Sequence, residues 1–178
     1  MRLFAGIDLP WDLRHRIAAL SVAGIQGARW VPPENYHLTL RFIGEVSPPV
    51  AEEIDLALAT LRGKRLAVTL AGVGTFSKGG RANTLYVGVD RNPRLEHLQN
   101  KIETALQRVG LEPERRRFQP HVTLARLDNA PEFKLVEFVQ AHNLFRAEPF
   151  DVEHFTLFSS QLGKEQSVYT AEVEYGLA

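Results

Sequence analysis

The chain of 178 residues contains no cysteine, which excludes disulfide bonds, thiolate nucleophiles and thiolate metal sites together. It has no excess of either charge, with 21 Lys and Arg against 21 Asp and Glu. No global basic field is therefore available to hold a long duplex, and a nucleic-acid partner has to be gripped locally, at an end. Long apolar runs are also missing. No stretch approaches membrane-spanning length, and the opening MRLFAGIDLPWDLRHR reads as a strand running into a helix rather than as a secretory leader. We expect a cytoplasmic protein without membrane attachment and, with balanced charge and no exposed apolar repeat, a monomer. Neither H-E-x-x-H nor G-x-S-x-G occurs, which counts against a zinc hydrolase and against a serine nucleophile on an elbow.

What is present is ordinary globular composition, 44% hydrophobic and 24% charged, and one short motif that recurs. HLTL at His37 to Leu40 returns as HVTL at His121 to Leu124, a spacing of 84 residues. On a strand, alternate side chains share a face, so His37 and Thr39 look one way while Leu38 and Leu40 pack the other way. The same holds for His121 and Thr123 against Val122 and Leu124.

The elements around the motifs repeat in the same order. Arg2 to Leu9 reads as a strand and Trp11 to Val22 as a helix behind Pro10. Ala28 to Val31 is a brief strand, and His37 to Ile43 is the first motif strand, ended by Gly44. Pro48 to Leu61 is an amphipathic helix with Ser47 as its N-cap. Leu66 to Phe76 reads as one strand, SKGGR at Ser77 to Arg81 as a loop, and Thr84 to Val89 as another strand. The 84-residue shift carries Pro48 to within one residue of Pro131, the segment from Leu66 onto Phe150 to Phe158, and Thr84 to Val89 onto Val168 to Val173. FAGID at Phe4 to Asp8 has an echo in YVGVD at Tyr86 to Asp90. We therefore expect an α+β fold built from a duplicated unit: two pseudo-two-fold lobes, antiparallel sheets around a central cleft, helices outside.

Such symmetry suits displacement at phosphorus. The attacking and leaving oxygens lie on opposite sides of the phosphorus, so one imidazole can accept a proton while the other gives one. The threonine hydroxyls can donate to the non-bridging oxygens.

With HLTL, HVTLAR, RWVPPENYHLTLRFIGEV and FQPHVTLAR in place, the chain resembles the 2H phosphoesterase superfamily, and within it the RNA 2′,3′-cyclic phosphodiesterases, also called 2′-5′ RNA ligases. The resemblance covers essentially the whole chain, read as one domain of two intertwined lobes with motifs at 37–40 and 121–124. It implies hydrolysis of a terminal 2′,3′-cyclic phosphate on RNA to a 2′-phosphomonoester with no metal and no cofactor. It also implies His37 as proton donor to the leaving O3′, His121 as the base that activates water, and Thr39 and Thr123 as substrate-binding groups. Weak 2′-5′ joining is a chemically available side reaction.

Phe42 and Arg126 stand five residues after each histidine and could sandwich a terminal base, although strict alternation turns both away from the histidine face unless a bulge intervenes. Arg41 shares parity with His37 and is expected either to contact the phosphodiester backbone or to lie at the rim. Arg115, Arg116 and Arg117 form either a positive loop beside the cleft or plain solvated surface. The glycines of SKGGR either cradle phosphate or serve a hairpin. His15, His97, His142 and His154 are expected to be structural. A non-catalytic RNA-end binder with the same fold is the competing class, and turnover separates the two.

Overall fold

In β1 (Arg2–Asp8) Leu3, Ala5 and Ile7 enter the main core, which fixes the opposite face of the strand, carrying Phe4 and Gly6, as the other side of the sheet. The structure is a computed structural model and describes residues 1–22 and 24–178. Behind Pro10, α1 (Trp11–Ala18) buries Leu13 and Ile17, and the helix expected to reach Val22 tightens into a 3₁₀ turn at Ala19–Val22. After β2 (Ala28–Trp30), β3 (His37–Glu45) runs past Gly44, which adopts φ 89°.

Ser47 occupies the N-cap position of α2 (Pro48–Ala59), but its side chain makes no capping bond, and Pro48 at the first helical position starts the helix. The single strand expected over Leu66 to Phe76 is two, β4 (Leu66–Val68) and β5 (Leu70–Lys78), which belong to different sheets. Lys78 pairs with Arg81 of β6 (Arg81–Val89), so Gly79 and Gly80, both at positive φ, form a two-residue hairpin turn. The hairpin accounts for the glycines of SKGGR. Next, α3 (Pro93–Arg108) is capped by the Asn92 side chain, which accepts from Leu95 N–H. The chain ends through β7 (His121–Leu127), α4 (Glu132–His142), β8 (Phe150–Val152), β9 (His154–Leu162) and β10 (Ser167–Gly176).

The main sheet has the order β10-β9-β1-β3-β7-β6-β5, with β2 added to β7, and its named pairings are antiparallel. The two motif strands, β3 and β7, meet at one residue pair, Leu38 with Val122. These are equivalent positions under the 84-residue shift. The small sheet β4-β8 has the same property, since Ala67 faces Asp151, again 84 residues on. Both contacts map onto themselves when the halves are exchanged, as an approximate two-fold axis through the pairs requires. Leu38, Leu40, Val122 and Leu124 all lie in the buried core with the helical residues Ile17, Ile54, Leu58 and Ile102. The helices therefore cover the leucine face and leave the histidine face open.

Candidate active site

The β3–β7 register turns His37 and His121 to one face, because their neighbours Leu38 and Val122 are wholly buried on the other. Extending that pairing by one residue each way sets His37 toward Thr123 and His121 toward Thr39.

Both rings are held the same way at Nδ1. His37 Nδ1 lies 2.8 Å from the Asn35 carbonyl, and His121 Nδ1 lies 2.7 Å from the Gln119 carbonyl. A carbonyl only accepts, so Nδ1 carries the hydrogen, and Nε2 of each neutral ring offers its lone pair to the cleft. At His37 that lone pair meets the Thr39 hydroxyl at 2.9 Å. No corresponding bond joins His121 to Thr123 among the described residues. Asn35 and Gln119 are themselves 84 residues apart, an equivalence readable in the sequence.

Each imidazole also leans on a stacked aromatic pair that the sequence reading missed. Phe4 and Phe158 stack at 5.0 Å, with Phe4 4.7 Å from His37 and Tyr169 edge-on to it at 5.2 Å. Across the axis Phe76 and Tyr86 stack at 4.3 Å, with Phe76 4.8 Å from His121. Phe4 and Tyr86 open the FAGID and YVGVD echo, so that similarity was the available signal. Burial among these rings is the main cause that depresses both imidazoles, opposed by the carbonyl bonds and reinforced by the Arg126 charge. The pKa of His37, which also faces His121 and Arg14, falls to about 4, and that of His121 lies below its ordinary value.

The bulge required to bring Phe42 and Arg126 to this face exists in both halves. In β3 Thr39 pairs with Gly6 but Arg41 with Ala5, leaving Leu40 unmatched. In β7 Thr123 pairs with Tyr86 but Ala125 with Leu85, leaving Leu124 unmatched. Past the extra residue the alternation is reset. Phe42 is exposed, with its ring 6.0 Å from Phe4. Arg126 donates to Thr84 Oγ1 at 3.2 Å.

The same reset corrects the expectation for Arg41. It is turned into the protein, 8% exposed, and its guanidinium donates to Glu103 on α3 and to the carbonyls of Phe42 and Glu112. In the arginine cluster Arg116 is tied to Glu114 while Arg115 and Arg117 are exposed, as in an ordinary solvated loop.

A third H-x-T-L string occurs at His154 to Leu157. It lies on β9, two strands from β3 across β1. His154 groups with Asp8 and Glu174, the donors that come close enough to share a cation among the described residues, and neither motif histidine belongs to that group. Its charges already have partners: Arg14 lies 3.6 Å from Asp8, and His154 lies 3.7 Å from Glu174.

No helix of the structure is long and apolar enough to cross a membrane.

A family model described as the 2′-5′ RNA ligase superfamily matches residues 10–164. The chain is 38% identical over 144 residues to the RNA 2′,3′-cyclic phosphodiesterase of Aeropyrum pernix, a match spanning 80% of this chain and 78% of that one. It is 31% identical over 172 residues to the protein of the same name from Escherichia coli K12, with 95% and 92% covered. In three dimensions it is similar to the crystal structure of Escherichia coli LigT complexed with 3′-AMP, with a TM-score of 0.81, 28% identity and coverage of 99% and 97%.

Proposed function

The chain belongs to the 2′-5′ RNA ligase superfamily, and on that premise we propose that it is an enzyme that hydrolyses the terminal 2′,3′-cyclic phosphate of RNA to a 2′-phosphomonoester, using His37 and His121 as its proton-transfer pair without a metal. The observation that carries this reading is the matched environment of the two rings: each Nδ1 is held by a carbonyl two residues upstream, so each Nε2 is the group presented to a ligand.

In this mechanism His121 Nε2 removes a proton from water as the oxygen attacks phosphorus. The P–O3′ bond breaks on the opposite side, and protonated His37 delivers its Nε2 hydrogen to O3′. Thr39 and Thr123 donate to the non-bridging oxygens, whose charge grows in the transition state. His37 is neutral in the empty cleft near pH 7, given its pKa of about 4. An anionic phosphate between the rings favours the charged imidazole, so His37 takes up from solvent, as substrate binds, the proton that it later donates. The direction, His37 as acid and His121 as base, follows the resemblance to the family.

A ribose 5′-hydroxyl in place of water gives 2′-5′ joining by the same proton transfers, and we place it as a weak side reaction because water is far more abundant. Phe42 and Arg126 take the terminal base between an aromatic ring and a planar cation, a contact indifferent to base identity. The same reading treats the whole chain as one two-lobed domain, acting as a monomer in the cytoplasm and needing no cofactor.

The test is a short RNA ending in a 2′,3′-cyclic phosphate, incubated in excess EDTA with the protein and with His37→Ala and His121→Ala. A 2′-phosphate product made only by the unsubstituted protein supports the reading. RNA binding without turnover would instead favour an end-binding module.

A further inference from the structure

Beside Arg126 the sheet presents a second arginine that the reaction does not use. Arg29 lies on β2 and pairs directly with Arg126 of β7. Its neighbours Ala28 and Trp30 pack against the core, so the side chain of Arg29 is turned to the opposite face, the one that carries the motif histidines. Directly paired residues of an antiparallel ladder hold their Cβ atoms about 5 Å apart, and like charges in that position repel. An adjacent carboxylate would relieve the repulsion, yet neither arginine forms an ion pair among the described residues, although Asp128 stands two positions beyond Arg126. Arg126 is steadied by the Thr84 hydroxyl at Nη1, its other donors having no partner among the described residues, and Arg29 is exposed. Two adjacent guanidiniums with a common unmet demand for negative charge suit a phosphate bound across both.

Their position defines which phosphate. On the neighbouring β6, Tyr86 faces Thr123 and Thr84 faces Arg126, so Arg126 sits two ladder steps, roughly 7 Å, from the motif threonine, with Arg29 paired beside it on β2. That is a separate place from the cleft between the histidines, and it lies beside the face of Arg126 that receives the terminal base.

We propose that Arg29 and Arg126 bind the phosphodiester on the 5′ side of the terminal nucleotide, so that the protein selects oligoribonucleotide ends over free nucleoside 2′,3′-cyclic phosphates. The inference rests on the phosphodiesterase reading and adds the subsite that distinguishes an RNA end from a mononucleotide. Arg29 is a specificity residue here, distant from the bond that breaks.

The experiment compares kcat/KM for a nucleoside 2′,3′-cyclic phosphate and for a dinucleotide ending in the same group, in the unsubstituted protein, Arg29→Gln and Arg29→Lys. The expected result is a preference for the dinucleotide that falls about tenfold in Arg29→Gln, the effect of one lost charged hydrogen bond, and is largely restored in Arg29→Lys. On the dinucleotide, the salt dependence of log(kcat/KM) should also lose about 0.7 of slope, the value for one single-strand phosphate contact. An unchanged preference ratio, or an equal loss on both substrates, overturns the proposal. If the unsubstituted protein turns over neither substrate, the phosphodiesterase reading fails by itself. Binding of the dinucleotide 2′-phosphate against the nucleoside 2′-phosphate then decides the Arg29 subsite by the same ratio.

Discussion

Leu40 and Leu124, 84 residues apart, are each the unmatched residue of a β-bulge in a motif strand, and both are buried in the core. The extra residue makes two successive side chains point inward, Leu40 with Arg41 and Leu124 with Ala125, before alternation resumes. Without it Phe42 and Arg126 would face the helices. With it both side chains lie on the histidine face, and the two ends of the pattern H-x-T-x-x-X share one surface.

If that surface receives a base, Phe42→Ala removes the stacking contact with little cost to the fold, because the ring is exposed and its loss opens no core cavity. We expect KM for an RNA end to rise about tenfold, within the roughly 1–3 kcal/mol measured per stacked base, with kcat and thermal stability close to unchanged. Steady-state kinetics with thermal denaturation tests this, and an unaltered KM would place the base elsewhere.

Arg126 contributes in a second way. Burial is the larger cause of the low pKa of both motif histidines, and the Arg126 guanidinium adds to it at each. Arg126→Gln should therefore raise both imidazole titration midpoints, which NMR follows ring by ring. A variant that leaves both midpoints in place would put Arg126 outside the cleft.

The sequence carried the motif strands, the helix order and the 84-residue equivalence because each rests on short-range pattern: alternation, a proline at a helix start, a repeated tetrapeptide. It did not carry the bulges, which depend on how many residues a partner strand offers. Arg41 was consequently expected at the phosphodiester backbone or the rim and is found bound to Glu103. The aromatic pairs escaped for a related reason. Phe4, Phe158, Phe76 and Tyr86 are ordinary strand residues until the order β9-β1-β3 and β7-β6-β5 sets them beside a histidine.

Arg41 and Glu103 give a stability prediction. Their side chains are 8% and 14% exposed and joined at 2.5 Å, and Glu103 also accepts from Gln107 and from the Glu114 N–H. Burial alone would raise the Glu103 pKa, but these donors together hold it below the usual value. Removing one partner leaves a buried charge uncompensated, so Glu103→Met or Arg41→Met alone should cost about 3 kcal/mol. The double variant should cost distinctly less than the two added together. Strict additivity in urea denaturation would show that the pair does not couple.

The low pKa of His37 also sets a pH dependence of folding. The unfolded chain protonates this ring near pH 6.5 and the folded protein near 4. Between those values the unfolded state binds more protons, so stability rises with pH across the window and is lost as pH falls through it. His37→Gln removes the difference. Its stability should therefore change less between pH 6.5 and 4.5 than that of the unsubstituted protein, measured by denaturant midpoints at both. Identical pH slopes would mean that the ring titrates in the folded protein as it does in water.

The same pair of low values fixes where activity peaks. In the free enzyme kcat/KM requires one motif histidine neutral and the other charged, and its limbs report both. Since His37 titrates near 4 and His121 below 6.5, kcat/KM should be bell-shaped with its maximum on the acid side of pH 6.5. The basic limb should fall tenfold per pH unit once the residual imidazolium disappears. With substrate bound the phosphate anion favours the charged rings, so the kcat profile should lie at higher pH than that of kcat/KM. A kcat/KM maximum above pH 7 would remove these two histidines from proton transfer, or place a charge in the free cleft that the side chains around it do not supply.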